Sequence, residues 1–301
     1  MKEHKKYTSI VRLGHKSTQG VLSIGDKITI TEKIDGANAS FILNESDEYG
    51  VTCFSRNQTL SVTSGLSGYW DWIIKNISPI KEKLIPNYRY YGEWLVSHKI
   101  RYQQDKYKIF YLFSIFNELT QEYLSDEIVK SEAIKLNLKT PEYFYEGEYI
   151  SFEHLLSFIG KSNITEVLNT GEGIVVKNVN YKDKFGNQIF VKLVSEAFAE
   201  VQSQKLPTDT NRLDEQTSLV ASVLTVSRVE KMLFKKIDDG ELDSNFGIED
   251  MGKILKLISS DLFKDIMKEE SELFENYDLS DIRKIVGKLV PTIVKEILKA
   301  K

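Results

Sequence analysis

From Lys27 to Lys33 the chain reads KITITEK, with Ile28 and Ile30 on one side and polar residues on the other. That alternation is the period of a half-buried strand. Asp35-Gly36 follows, a dipeptide suited to a tight turn. The alternation then resumes with Ala39, Phe41 and Leu43 on one face. Similar runs predict strands at 27–33, 39–43, 51–55, 88–95, 108–116, 173–179 and 188–194, with helices at about 66–83, 121–136 and 151–159. After the polar stretch SQKLPTDTNRLDEQ the period changes. Val220, Val223 and Leu224, then Ile254, Leu257 and Ile258, then Ile282, Ile285, Val286 and Leu289 recur at helical intervals. The pattern predicts a mixed α+β domain over 1–206 and an all-helical domain over 207–301, divided near Pro207. Ser227 and Glu230 have the spacing of a helix-capping box, and Pro291 is expected to kink the last helix or to bound it.

Composition narrows the class only a little. The chain has 301 residues, 41% hydrophobic and 11% aromatic, enough for a substantial core. A net charge of −4 argues against indiscriminate coating of nucleic acid but leaves room for a locally basic cleft. The single cysteine, Cys53, excludes an intrachain disulfide and any multi-thiolate zinc site, which suits a reducing cytoplasm. No run approaches the roughly eighteen apolar residues of a membrane span. The opening MKEHKKYTSI lacks the apolar stretch of a secretory signal.

The candidate chemistry lies in short motifs. There is no GxxxxGK[ST] loop, HExxH or GxSxG. The four histidines, His4, His15, His98 and His154, lack metal-ligand spacing. Six motifs remain in order: Lys33-Ile34-Asp35-Gly36, FSRN at 54–57, YYGEW at 90–94, FYLFSIF at 110–116, EGIVVKN at 172–178 and FVKLVSEAF at 190–198. A lysine ending a strand beside Asp-Gly suits either a solvated turn or a nucleophile at the mouth of a pocket. Phe113 suits core packing or a stacking platform, Glu93 and Glu172 an ion pair or a metal, and Arg56 a plain edge strand or a phosphate fork. In VRLGHKSTQG, Arg12, His15 and Lys16 read as a solvated loop or as phosphate contacts.

In type, order and spacing, the six motifs closely resemble the covalent nucleotidyltransferases: ATP-dependent DNA ligases, RNA ligases and mRNA capping enzymes. KIDG fits their KxDG motif. Glu32 before the lysine, Asn38 five residues after it, and a helical rather than barrel-like sequel resemble the phage-type RNA ligases with a helical C-terminal domain. The resemblance covers about the first 200 residues. It departs at the last motif, where Lys192 is followed by Val194 instead of a second lysine, and at Phe113-Ser114, where the family often has Phe-Asp.

The resemblance implies a ligase adenylation domain of antiparallel sheets with flanking helices, followed by a small all-helical domain. Lys33 would be the catalytic nucleophile. Glu32, Ile34, Asn38, Arg56, Glu93, Phe113, Lys177 and Lys192 would bind the nucleotide, and Glu172 and Glu93 would serve the metal. It implies ATP as AMP donor and Mg²⁺ (or Mn²⁺) as cofactor. RNA with 5′-phosphate and 3′-hydroxyl ends would be the substrate of a cytoplasmic monomer away from membranes. The alternatives are a DNA ligase or capping-type guanylyltransferase, and a non-catalytic protein that binds nucleic-acid ends.

Overall fold

The structure, a computed structural model, describes residues 2–195 and 212–300, with backbone alone for Lys16, 212–215 and Ala300. These residues form two units, one ending at Ser195 and one holding the C-terminal helices. The boundary expected near Pro207, and residues 196–198 of the last motif, fall outside the described residues.

In the first unit the strands are β1 (Val11–Arg12), β2 (Lys27–Lys33), β3 (Ala37–Leu43), β4 (Val51–Ser55), β5 (Tyr88–Trp94), β6 (Phe110–Asn117), β7 (Glu122–Tyr123), β8 (Tyr143–Glu148), β9 (Gly173–Lys182) and β10 (Gln188–Val194). They form two five-stranded sheets, ordered β1-β10-β9-β2-β8 and β4-β3-β5-β6-β7. All pairings are antiparallel except β1 with β10. The helices are α1 (Tyr69–Asn76), α2 (Asp126–Lys135) and α3 (Phe152–Leu156). The expected α+β class with antiparallel sheets and flanking helices is what the chain adopts.

Each sheet buries one face under helices. In the first sheet, Ile28, Ile30, Ile174, Val176, Val191 and Leu193 pack with Leu155 of α3. In the second, Ala37, Ala39, Phe41, Cys53, Tyr90, Trp94 and Phe110 pack with Tyr69 and Ile73 of α1 and with Val129 and Ala133 of α2. The opposite faces meet each other: Phe190 of the first sheet clusters with Tyr91, Phe116 and Tyr123 of the second and with Tyr7. A side-chain amide adds a second link. Gln188 Oε1 accepts from Tyr123 N at 2.6 Å while its Nε2 donates to the carbonyls of Tyr123 and Val179 at 3.1 and 2.9 Å. The covalent link at the other end of β2 is the segment 34–36, where the chain leaves the first sheet and enters the second.

Where pattern and structure differ, local chemistry explains it. The helix expected from 66 begins at Tyr69, because Leu66, Ser67 and Gly68 have positive φ, and Pro79 falls in a separate 3₁₀ segment at Ser78–Lys83. Glu122–Tyr123, expected as helix, pairs with β6, and the helix starts at Asp126. β8 is an edge strand, half exposed along its length, so it offers no alternating signal.

The second unit contains α4 (Arg212–Val223), α5 (Val226–Asp238), α6 (Met251–Glu270) and α7 (Leu279–Ala300). Val220, Val223, Val229, Ile254, Ile258, Ile282, Val286 and Val290 share its core, so the helical period marks the buried faces. Thr225, not Ser227, caps α5: its side chain accepts from Arg228 N, and Ser227 lies inside the helix. α7 runs through Pro291 as one helix. Buried Arg228 lies 2.8 Å from Asp265 and 3.6 Å from both Glu269 and Glu270, tying α5 to α6.

Candidate active site

The register of three strands builds the first half of the site. Lys33, the last residue of β2, pairs with Gly173 of β9, which pairs with Val194 of β10. Two steps along, Thr31, Val175 and Lys192 share a row, and two steps further Thr29, Lys177 and Phe190 share another. Side chains two apart share a face, so Lys33, Lys177 and Lys192 lie on the face opposite the apolar core under α3. Glu172, one residue before β9, brings its Oε2 to 2.5 Å from Lys33 Nζ, with both side chains largely buried. Arg12 pairs with Lys192 in the parallel β1–β10 ladder, placing a second cation beside it.

Gly173 makes this row possible. A Cβ there would sit 2.1 Å from Leu193 O and 2.7 Å from Val194 Cα. Gly36 plays a similar part at the crossover, where a Cβ would lie 2.7 Å from Trp94 O.

The second sheet supplies the rest. Asn38 on β3 stands opposite Glu93 on β5. Glu93 Oε1 accepts from Gly36 N at 3.2 Å. Burial pushes the Glu93 carboxyl up to about 7, although Lys33 and His98 pull it down. Burial also works against ionised Asp35, but His98, Lys33 and the Ile100 amide outweigh it and hold that carboxyl below its ordinary range. Lys33, Asp35, Glu93 and Glu172 thus form one electrostatically connected group at the junction of the sheets.

The other predicted residues divide. Arg56 follows β4, is half-buried, and makes no hydrogen bond or ion pair with the described residues. Ile34 is buried within the crossover. Phe113 packs edge-on against Tyr7 with ring centroids 4.9 Å apart, so its ring belongs to the aromatic cluster joining the sheets. Lys177 is committed elsewhere: it pairs with Asp126 at 2.9 Å and donates to the Phe113 carbonyl. The side chain of Glu32 lies on the other face of β2 from Lys33, and its Oε1 has no hydrogen-bond partner among the described residues. Burial pushes this carboxyl up to about 7; a Ser162 hydrogen bond opposes the shift and Glu142 adds to it.

Glu32 gives a stability prediction. Its folded pKa exceeds the ordinary value of 4.5, so its contribution is full below that pH and is lost as pH rises toward about 7. A shift of that size is on the order of 3 kcal/mol. Glu32→Gln should therefore unfold at higher denaturant than wild type at pH 8, with the gain shrinking toward pH 5. An equal difference at both pH values would dissociate the effect from ionisation.

Asp126 and Tyr102 lie outside the six motifs, and His98, which follows the third, reads from sequence as a solvated residue. Asp126 opens α2 and joins Lys177, Thr29 and Tyr143. An acidic residue after Ser125 at a helix start was its only local signal, and such residues usually answer the helix dipole. Among the described residues no three of His, Cys, Asp or Glu converge as a metal-holding set. No helix among them is long and apolar enough to cross a membrane.

Naegleria gruberi RNA ligase solved with PPi is 21% identical, with a TM-score of 0.44 over 63% of this chain and 57% of that one. A variant of that ligase with ATP and Mn gives 20% identity and a TM-score of 0.44 over the same shares. The chain thus spans just over half the length of those structures. No curated protein matches the chain. The model of the RNA ligase family matches residues 26–194. That segment runs from the start of β2 to the end of β10, and so contains Lys33, Glu93, Glu172 and Lys192 together with the strands that place them; the chain belongs to the RNA ligase family.

Proposed function

We propose that the protein is an ATP-dependent RNA ligase that joins 3′-hydroxyl and 5′-phosphate ends through lysyl-AMP and RNA-adenylate intermediates. The observation carrying this reading is the Lys33–Glu172 pair at the sheet junction, within the family-matched segment. An amine must lose a proton before it can attack phosphorus. Glu172 Oε2, 2.5 Å away, is positioned to receive that proton. The Lys33 nitrogen then bonds to the α-phosphorus of ATP as the bond to the bridging oxygen breaks and pyrophosphate leaves. An oxygen of the RNA 5′-phosphate next displaces lysine from AMP. Finally the 3′-hydroxyl attacks the activated 5′-phosphate, AMP departs, and the phosphodiester remains.

Lys192, with Arg12 beside it, would stabilise charge developing on the phosphates, and Arg56 would add a planar fork. Lys177 would join them only by leaving Asp126. Glu93 and Glu172 suit a divalent metal: they are hard-oxygen donors, Glu172 buried and Glu93 half-buried, and Mg²⁺ commonly takes one or two carboxylates and completes its shell with phosphate oxygens and water. Mg²⁺ or Mn²⁺ there would supply Lewis-acid stabilisation of the phosphoryl oxygens. Replacing Glu172 by Gln should reduce adduct formation by two orders of magnitude or so, since an amide neither accepts the lysine proton nor carries charge. Normal labelling of that variant would make Glu172 a structural partner.

The test of the whole reading is incubation with α-labelled ATP or GTP and Mg²⁺, then denaturing electrophoresis, followed by sealing of 5′-phosphorylated RNA. Label from ATP alone and sealed product are expected. Label from GTP alone would favour a capping-type reaction. No label from either would leave an end-binding protein.

A further inference from the structure

The crossover at 34–36 carries Lys33 on one side and β3 on the other, so its conformation sets where the amine sits relative to the second sheet. Its anchor is the segment just after Glu93. Asp35 Oδ2 accepts the main-chain amides of Lys99 at 3.0 Å and Ile100 at 3.1 Å. Asp35 N donates to Tyr102 Oη at 2.7 Å. The remaining carboxylate oxygen, Oδ1, lies 3.4 Å from His98 Nδ1, and the His98 side chain is 7% exposed. Of these partners only His98 and Tyr102 act through side chains, and of those two only His98 meets the carboxylate.

Resting on the reading of Lys33 as nucleophile, we propose that His98 is a positioning residue for it, acting through Asp35 to fix the crossover between the sheets. The main-chain amides restrain one carboxylate oxygen and leave the group free to swing about that attachment. A donor on the second oxygen removes the swing. Asp35 lies two residues from Lys33, so a shift of the turn is carried to the end of β2, where attack on phosphorus requires alignment. Glu93 holds Gly36 N at the same turn, so the segment 93–102 grips both residues of the Asp-Gly pair.

The full-length protein serves for the test. His98→Leu removes the donor while keeping bulk, and His98→Asn keeps an N–H near the position of imidazole Nδ1. Single-turnover labelling with α-labelled ATP would be compared with sealing of a chemically pre-adenylylated RNA strand, a step in which Lys33 is not the nucleophile. His98→Leu is expected to slow labelling at saturating ATP by about tenfold or more. The ATP concentration for half-maximal rate should stay close to wild type, pre-adenylylated ends should still be sealed, and His98→Asn should recover most of the rate. Three results would overturn the proposal: unchanged labelling in His98→Leu, equal loss of both steps, or no recovery in His98→Asn. A wild-type protein that takes no label would instead overturn the nucleophile reading itself.

Discussion

Lys33→Ala protein incubated with α-labelled ATP is expected to show no labelled band, while it still seals RNA whose 5′ end is already adenylylated. Only the first transfer needs a nitrogen nucleophile, and neither of the other two lysines on that sheet face stands in its place. Lys177 is held by Asp126, and Lys192 lies two rows from the end of the sheet where Lys33 meets Glu172. Arginine at position 33 should fail as alanine does, because a guanidinium stays protonated at any working pH. The loss should exceed about a thousandfold, the scale on which removing a covalent nucleophile is felt. Wild-type labelling of Lys33→Ala would end the assignment.

Gly173→Ala should cost the protein both stability and adduct. The added methyl would lie 2.1 Å from Leu193 O, against main chain that cannot rotate away as a side-chain tip would. Either β10 moves off β9 or β9 shifts toward β2, and both break the row Lys33–Gly173–Val194. Overpacking a well-filled interior usually costs about 1–3 kcal/mol, and a clash with backbone belongs at or above the upper end. Urea unfolding should show a clear drop in midpoint, and labelling of the still-folded variant should fall, because Glu172 departs with the strand. A variant with wild-type midpoint and wild-type labelling would show that the strands do not approach so closely. Gly36→Ala offers the milder comparison, since its nearest obstacle is 2.7 Å away.

Much of this is legible in the sequence. Strand β2 alternates because Ile28 and Ile30 go under α3 while Lys27 and Thr29 point the other way, and the same alternation puts Lys33 at a strand end. The second unit declared itself through one-sided helices sharing a single core. What stayed hidden is what depends on distant pairing. Nothing near Lys177 in sequence announces Asp126, which lies 51 residues away. His98 reads as an ordinary polar residue until the chain folds it against Asp35. β8 carries two glutamates and a glycine on an exposed edge, so its strand state comes from β2 beside it and not from its own residues.

The amide of Gln188 has a mechanical consequence. A sandwich joined only at 34–36 would open like a book, with the crossover as its spine. Here the far end of β10 is stitched to Tyr123 of the opposite sheet's edge strand through two hydrogen bonds that copy a peptide unit's own donor and acceptor, while a third ties the same amide to Val179 of β9. Six residues of extended strand, about 20 Å, separate that stitch from Val194. The two covers are thus fastened at both ends of the strand. On the proposed reading, nucleotide would then be fitted by side chains and connecting loops rather than by parting of the two sheets.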